Sequence, residues 1–581
     1  MTKSYETLKS FYSHEDSILK GEKGEGTVYT PDWVAKNMVY MMIKNQVDNA
    51  FRNESVLFDV VFKEGFMAGK KFDKTTSAFS VLLEALLKMK ILDLSMGSGV
   101  LLMVYTEFIT YLLDLCSGGD NDQLVYFIEN NLYGVDIHED AVRNAKRWFQ
   151  NYAIYKGCAM PGLNFTVANS LIDALPFEKA SFDFVIGNPP YIGEKNNLKW
   201  FEPIKNSPFG RWTYEGKMDY FYFFVYKGWE YLKQEGNLCY LTSNYFLTAD
   251  GARQLRSFIK AQFNFASYLD YGDLRIFPEK KLHASAYVLK KESVELVSYY
   301  NQELKLLADI NPENIYRPDG SFVFINDEAV VDQLTRLSQN SIGPLEQFYH
   351  VHQGLVSGCD KAFVFQKEEA EALPEVLKNI LVPLYKNSDI KHFWTENDTP
   401  LRLLYVDANS VQNDELRHAL ERLLEPHHSR LTTRREVIKQ VRAWYELTWP
   451  RDRRIFESPK IVAPQRAKTN YFAYTEHAFY ASADVYYITE KSESGPYSLP
   501  ILSLMLNSSL YQIWLKNFGK KKGNLLELYA TPLKNLPILR LSPEEIDVLS
   551  EIVKRVNQRQ ASSESFISLI DQVIEHNLNR T

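Results

Sequence analysis

Residues 91–116 read ILDLSMGSGVLLMVYTEFITYLLDLC, and this stretch decides the fold. Ile91 to Leu94 form a short apolar run. Gly97 and Gly99 then punctuate a turn, and residues 100–116 are apolar enough for a buried helix. A strand that turns through glycines straight into a helix opens a strand–helix–strand unit, because a parallel return strand needs such a crossover. The alternation continues outward. LYGVDI (132–137) reads as a second buried strand and 139–156 as a helix, while NFTVANS (164–170) and SFDFVIGNPPY (181–191) supply two more strand ends. KMDYFYFFVYKGWEYLKQEG (217–236) reads as a helix and NLCYLTSNYF (237–246) as a strand. This pattern predicts an α/β fold with a doubly wound, mostly parallel sheet and helices on both faces.

On the N-terminal side, residues 1–26 are polar, end in GEKGEG and read as a flexible entry. TVYTPDWVAKNMVYMMIK (27–44) predicts a helix capped by Thr30, with Pro31 in its first turn and Val34, Met38, Met41 and Met42 at helical spacing. Ser80 to Lys90 predicts another apolar helix. The pattern changes after Lys291. A catalytic domain is therefore expected over 27–291, a connector over 292–340, and a smaller α+β domain over 341–540. In that smaller domain, short β-like runs (KAFVFQ, LRLLYVD, KIVAPQ, DVYYITE) alternate with loops rich in Arg and His. Residues 541–581 read as C-terminal helices. Ser542, Pro543 and Glu545 form a capping-box signature, with Ile546, Leu549, Ile552, Val553 and Val556 on one face. Phe566 to Ile574 supplies a second amphipathic segment.

With 581 residues and 45% hydrophobic content the chain has ample material for more than one core. Lys plus Arg number 66 against 73 Asp plus Glu, a net charge of −7, so any nucleic-acid surface must be local. The four cysteines, Cys116, Cys158, Cys239 and Cys359, form no CxxC pair, which excludes a zinc ribbon and argues against a disulfide framework; no metal is expected. The polar N-terminus has no signal-peptide core, and no run of about 18 apolar residues occurs. A cytoplasmic protein is expected, with no membrane association.

The residues that carry chemistry sit at the expected strand ends. Gly97 and Gly99 let a backbone approach a ligand after Asp93, but an ordinary tight turn accounts for them equally well. Asp136 can accept hydrogen bonds from two ribose hydroxyls; a carboxylate favoured by the following helix N-terminus explains it no less readily. Asn188-Pro189-Pro190-Tyr191 is more specific. Two prolines leaving a buried strand sacrifice backbone donors, so a rigid turn is being built. It presents a carboxamide oxygen and the Pro189 carbonyl as acceptors for an exocyclic NH2 group, beside a flat aromatic that can stack on the ring carrying that amine. Lys217 and Asp219, ahead of the next helix, either shape the wall of this site or cap that helix.

Asp93-x3-Gly97-x-Gly99, Asp136 and Asn188-Pro189-Pro190-Tyr191 occur in the order found in the gamma-class adenine-N6 DNA methyltransferases, the TaqI-like and Eco57I-like group, which this chain resembles. Tyr29-Thr30-Pro31 resembles that family's N-terminal cofactor segment. Phe277-Pro278-Glu279-Lys280-Lys281 is similar to its loop whose aromatic stacks on the flipped base. LMLNSSLYQIWL (504–515) around Asn507-Ser508 is similar to its C-terminal specificity domains. HQGLVSGCDKAFVF (352–365) and WYELTWPRDR (444–453) resemble the CamA-like clostridial orphan adenine methyltransferases. The resemblance spans roughly residues 26 to 540 and implies a Rossmann-like methyltransferase sheet followed by a target-recognition domain. It implies S-adenosylmethionine as cofactor, held by Tyr29, Thr30, Pro31, Asp93, Ser95, Met96, Gly97, Gly99, Asp136, Ile137, Asn169, Ser170, Asn188 and Pro190. It implies Asn188, Pro189, Pro190, Tyr191 and Phe277 as the catalytic group, with Tyr191 and Phe277 sandwiching an extruded adenine. One departure stands out: the family's usual Asp at the end of NFTVANS is replaced by Asn169-Ser170, whose amide oxygen can still accept from an NH2 group.

Double-stranded DNA is the expected partner, bound by a monomer near the bacterial nucleoid without an obligate protein partner. Lys280, Lys281, Arg430, Arg434, Arg435, Arg442, Arg451, Arg453, Arg454, Arg466 and Lys468, interleaved with Trp444, Tyr445 and Trp449, suit phosphate anchoring and base reading. Any single arginine among them is as well explained as a solvated charge. The expected activity is site-specific N6-adenine methylation without DNA cleavage, since only about 25 residues precede the cofactor segment. Alternatives are a protein-glutamine methyltransferase, a ribosomal RNA adenine methyltransferase, and a non-catalytic DNA specificity protein.

Overall fold

The computed structural model describes residues 30–50, 55–70, 72, 77–272, 274–277, 282–317, 320–411, 413–491, 495–522 and 525–580. The expectations for residues 1–26, Tyr29, Lys280 and Lys281 lie outside the described residues. The chain divides into two units, Met1–Asn326 and Asp327–Thr581.

The first unit is built on a nine-stranded sheet whose strands are β1 (Ile91–Asp93), β2 (Leu132–Asp136), β3 (Asn164–Val167), β4 (Phe182–Gly187), β5 (Leu232–Ser243), β6 (Asn264–Asp270), β7 (Ala284–Lys290), β8 (Val297–Tyr300) and β9 (Leu306–Ile310). Their spatial order is β3-β2-β1-β4-β5-β7-β6-β8-β9. β1 to β5 are parallel, and β7 inserts antiparallel between β5 and β6. The order in which the chain lays down strands switches sides between β1 and β4, with β2 and β3 added on one side and β4 and β5 on the other. The crevice beyond the C-terminal ends of β1 and β4 is where an open α/β sheet binds its ligand.

Burial on both faces explains why these strands read as continuous apolar runs. Ile91, Phe184, Ile186, Cys239 and Leu241 belong to one core, together with helices α1 (Asp32–Ala50), α2 (Val100–Ser117) and α3 (Glu139–Tyr155). Leu92, Val135, Val185, Leu238 and Tyr240 alternate onto the other face, against α4 (Phe221–Tyr231). Helix α4 is buried almost all round, from Phe221 to Gly228 and again at Tyr231. Its aromatic composition shows no clean amphipathic period for that reason.

Helix α1 is tied across the sheet by side chains of the strands. Cys239 Sγ donates to the Met38 carbonyl at 3.5 Å, and Asn237 Nδ2 donates to the Met42 carbonyl at 3.2 Å. Going up β5 from 237 to 239 therefore goes down α1 from 42 to 38. The two elements run antiparallel, about 6 Å along each. The start of α1 is thereby delivered to the C-terminal edge of the sheet. Thr30 does not serve as the helix cap expected from the sequence: the helix is closed by the Pro31 carbonyl, which accepts from Val34 and Ala35 N–H at 3.0 Å.

Residues 292–340 are not a connector. β8 and β9 extend the sheet beyond β6, and helix Glu328–Gln339 belongs to the second unit, where Asp327 Oδ1 caps it by accepting from Ala329 and Val330 N–H. The mixed sequence signal has a physical source. β9 is an outer strand on which Leu306 and Leu307 are exposed and only Ile310 is buried, so its alternation fails.

The second unit holds a four-stranded antiparallel sheet in the order 349–353, 485–490, 460–464, 473–475, and a second sheet in the order 364–366, 401–404, 381–385, 480–481. The C-terminal helices Pro543–Asn557 and Ser563–Arg580 are part of the same unit. The capping box forms as expected: Ser542 Oγ accepts from Glu545 N–H, and Glu545 Oε2 accepts from Ser542 N–H at 2.8 Å. Asp571 closes the last helix onto Ser509, accepting from its N–H and hydroxyl. Among the described residues no helix is long and apolar enough to cross a membrane.

Candidate active site

At the C-terminal end of β1, Asp93 is buried and its Oδ1 accepts the Ser95 N–H at 2.9 Å. Burial pushes this carboxyl up to about 8, only partly offset by the Ser95 N–H, and the nearby Asp136 adds to the rise. Among the described residues no Lys or Arg makes an ion pair with it. Asp136, at the end of β2, accepts from Gly97 N–H on Oδ2 and His138 N–H on Oδ1, each at 2.9 Å. Desolvation still lifts its carboxyl above the ordinary range. The two strand ends are thus stitched through the glycine turn, with Met96 N–H also donating to the Val135 carbonyl at 3.0 Å. Gly97 has a left-handed φ of 54° and open space where a side chain would stand. Ile137, next to Asp136, is half exposed, an apolar face at a polar crevice.

The Asn-Pro-Pro-Tyr turn leaves β4 beside this crevice. Asp93 pairs with Ile186, and a Cβ built on Gly187 would press to 3.0 Å on the Tyr240 ring while meeting Asp93 Oδ1 at an ordinary 3.4 Å, so glycine spares the packing of Tyr240 beneath the turn. Asn188 Nδ2 donates to Thr30 Oγ1 at 2.9 Å. On the other end of the same carboxamide, the Tyr191 hydroxyl donates to Asn188 Oδ1 at 2.7 Å and lies 3.1 Å from the Leu241 carbonyl. Burial raises the Tyr191 phenol well above its usual range, so the hydroxyl keeps its proton.

Phe277 is buried against Tyr191, with ring centroids 5.8 Å apart and planes inclined at 54°. This differs from the open sandwich expected of the pair. A base between parallel rings needs about 7 Å, two van der Waals gaps of roughly 3.5 Å. Here the two apolar faces bury each other instead, so a base enters only if one ring moves.

Asn169 is placed beyond β3. Its Oδ1 accepts from Leu171 N–H at 3.1 Å, and its amide hydrogen-bonds the Tyr220 phenol, which desolvation pushes up to about 12. Ser170 is buried. Asp219 Oδ1 accepts the Ile192 N–H at 3.2 Å, directly after the Pro-Pro-Tyr turn, and so ties that turn to the segment ahead of α4. Lys217 is exposed at a left-handed φ of 56°. Sequence reasoning missed Glu194. Its buried carboxylate takes the Tyr214 hydroxyl and the Met218 N–H, fixing the loop behind Tyr191. No local signal marks it, because its partners come from a separate turn.

Residues 130–277 match the Eco57I restriction-modification methylase family, and residues 383–538 match the TaqI-like C-terminal specificity domain. The chain thus carries an Eco57I-type methylase segment followed by a TaqI-like specificity domain. S-adenosylmethionine is the methyl donor of such a methylase, and the crevice suits it. The desolvated Asp93 carboxyl would suit the cationic methionine end, Asp136 would keep acceptor capacity for the ribose hydroxyls, and Gly97 leaves room for the ligand. The type II methyltransferase M.BstVI of Geobacillus stearothermophilus is 23% identical over 525 residues, covering 83% of this chain and 91% of the relative. M.HindII of Haemophilus influenzae is 24% identical over 413 residues, covering 65% of this chain and 78% of the relative. Among solved structures, the type IIL restriction-modification enzyme MmeI in complex with DNA shares the fold. Its TM-score is 0.63 at 12% identity, over 93% of this chain and 74% of that one.

In this methyltransferase the arginines expected to touch DNA fall into two groups. Arg434 is a structural residue, which corrects its expected role. Its guanidinium donates to the carbonyls of Ser357, Trp444, Glu446 and Leu431 and to Thr448 Oγ1, at 2.7–3.1 Å, and so ties the 444–448 segment down. Arg442 pairs with Glu446, Arg466 with Glu527 and the Tyr529 hydroxyl, and Arg454 with Asp452. The Arg453 guanidinium lies 4.4 Å over the Tyr405 ring. Trp444 and Tyr445 pack on the core of the unit. Arg430, Arg435, Arg451 and Lys468 are exposed. Arg451 takes a left-handed φ of 67°, and its carbonyl accepts the Tyr405 hydroxyl at 2.8 Å. Asn507 is likewise structural: buried, it exchanges hydrogen bonds with the Phe472 backbone in both directions.

Proposed function

We propose that this protein transfers a methyl group from S-adenosylmethionine to N6 of an adenine turned out of duplex DNA at a specific sequence, and that it does so without cutting the DNA. The observation that carries the reading is the Asn188 carboxamide. It stands at the end of β4, one end on Thr30 and the other turned toward Tyr191. An amide oxygen with a prolyl carbonyl next along the chain is an acceptor pair for the two hydrogens of an aromatic amine.

An N6 lone pair is delocalised into the purine ring, so the amine is a poor nucleophile. Asn188 Oδ1 and the Pro189 carbonyl would draw its hydrogens out of the ring plane and localise the lone pair. S-adenosylmethionine supplies an electrophilic methyl group, its sulfur keeping the electron pair of the broken S–C bond. The nitrogen would gain the methyl and shed one proton to solvent, the two oxygens acting as hydrogen-bond acceptors rather than as bases. Positioning and electrostatics then carry much of the rate, without a covalent enzyme intermediate. Asp136 retains lone pairs for ribose hydroxyls, Asp93 faces the cationic methionine end, and Ile137 offers an apolar surface to the adenosine.

Extruding a base costs a few kcal/mol, and stacking on Tyr191 returns about 1–3 kcal/mol. The Tyr191–Phe277 contact is exchanged for Tyr191–base contact, with Phe277 swinging aside to cover the second face. Arg430, Arg435, Arg451 and Lys468 of the specificity unit would meet phosphates or base edges. The test is partition of label from methyl-labelled S-adenosylmethionine among duplex DNA, ribosomal RNA and a release-factor protein, alongside plasmid incubated with magnesium. Label in duplex DNA with the plasmid intact is expected. Label in RNA or protein alone, or double-strand breaks, overturns the corresponding part.

A further inference from the structure

The structure assigns Thr30 a role beyond a cofactor contact: we infer that it is the positioning residue that sets which end of the Asn188 carboxamide faces the base. The inference rests on the amine-acceptor reading of Asn188 given above. A carboxamide has two ends of nearly the same size and opposite hydrogen-bonding sense. Only the oxygen end can accept from an NH2 group. Turned by 180°, Nδ2 would point its own hydrogens at those of the amine, and the site would repel its substrate. Something must hold the nitrogen end away from the base.

Thr30 Oγ1 lies 2.9 Å from Asn188 Nδ2, across 158 positions of sequence, and accepts from it. Thr30 is buried, so the contact is sheltered from competing water. Its placement is not accidental to the fold. Antiparallel anchoring of α1 through Met38 and Met42 carries Thr30 and Pro31, which lead into the helix, to the C-terminal edge of β4 and β5. The hydroxyl is not used as the helix cap, since the helix closes on the Pro31 carbonyl. Tyr191 holds the oxygen end at 2.7 Å, which leaves the second lone pair of that oxygen for an incoming amine. The Thr30 tether fixes the nitrogen end on the side away from that amine.

Thr30→Val keeps the β-branched shape, suits the extended backbone favoured before proline, and removes the acceptor. Loss of one such hydrogen bond from the transition state predicts a roughly three- to tenfold fall in kcat. The loss should fall on kcat rather than on KM for S-adenosylmethionine, with only a small drop in melting temperature from the Asn188 Nδ2 left without its acceptor. Thr30→Ser, which restores the hydroxyl, should recover most of kcat. A raised KM for S-adenosylmethionine with unchanged kcat would show that Thr30 serves the cofactor instead and would overturn the assignment. Unchanged kinetics, or failure of Thr30→Ser to recover rate, would overturn it as well. Should Thr30→Val prove insoluble, Thr30→Ala removes the hydroxyl by deletion and is judged by the same criteria. A wild-type enzyme that leaves adenine amines unmethylated would sink the reading of Asn188 itself, a result distinct from any of these.

Discussion

The crevice of the first unit and the 434–453 region of the second handle their polar groups in opposite ways. Asp93 and Asp136 are desolvated carboxyls that accept a few backbone N–H groups and make no ion pair with a Lys or Arg among the described residues, His138 alone adding a favourable charge beside Asp136. Arg434 is surrounded by acceptors, four carbonyls and a hydroxyl. A group held against its preferred state has capacity left for a ligand, whereas a group saturated by its own fold has little to offer one. This contrast separates the groups that would act on substrate from those that hold the scaffold.

The sharpest way to break the contrast is at Asn188. Asn188→Ala should lower kcat by about a hundredfold or more, by analogy with removal of one preorganised hydrogen-bonding group from an active site. Donor and DNA dissociation constants, measured by titration calorimetry and fluorescence anisotropy, should hardly move. Loss of DNA binding instead would make Asn188 a scaffold residue.

Asp93 sharpens the comparison through pH. Its folded-state value of about 8 lies above the unfolded value near 3.9, so the folded protein holds this proton more tightly. The resulting stabilisation is complete below about pH 4 and is lost as pH rises toward 8, by on the order of several kcal/mol. Thermal melts of the donor-free protein should therefore fall over that window, and Asp93→Asn should flatten the dependence. Parallel curves for the two proteins would mean that the carboxyl is not strained.

The second region is broken at Arg434 and sharpened at its neighbour. Arg434→Ala strands several carbonyls and should destabilise the second unit by about 2–4 kcal/mol, read as a lower melting temperature in the absence of DNA. Arg435→Ala should leave stability within about 0.5 kcal/mol. If Arg435 meets a phosphate, the salt dependence of DNA binding should lose close to 0.9 of its logarithmic slope. Interchanged results would reverse the two assignments.

What the sequence made legible follows the same division. Strand ends carrying Asp93, Gly97 and Asn188 are read from short local patterns, because chemistry at a sheet's C-terminal edge needs particular residues at particular steps. The doubly wound order follows from alternation and handedness. Thr30 read as a helix cap because capping rules look three residues ahead, while its actual partner comes from β4. Phe277 read as one wall of a slot, although the ring's affinity for Tyr191 depends on three-dimensional proximity. Arg434 looked like its neighbours, since nothing in an arginine's identity says whether carbonyls surround it. β8 and β9 escaped notice because an outer strand with exposed leucines has no clean alternation.

The central claim is that Asn188 grips the amino group of an adenine. It is tested most directly by digesting duplex DNA methylated by the protein to nucleosides and identifying the product by mass spectrometry, for wild type and Asn188→Ala side by side. N6-methyladenine from the wild type, and almost none from a variant that still binds both DNA and donor, is the predicted result. A methylated cytosine, or equal N6-methyladenine from both proteins, would contradict it.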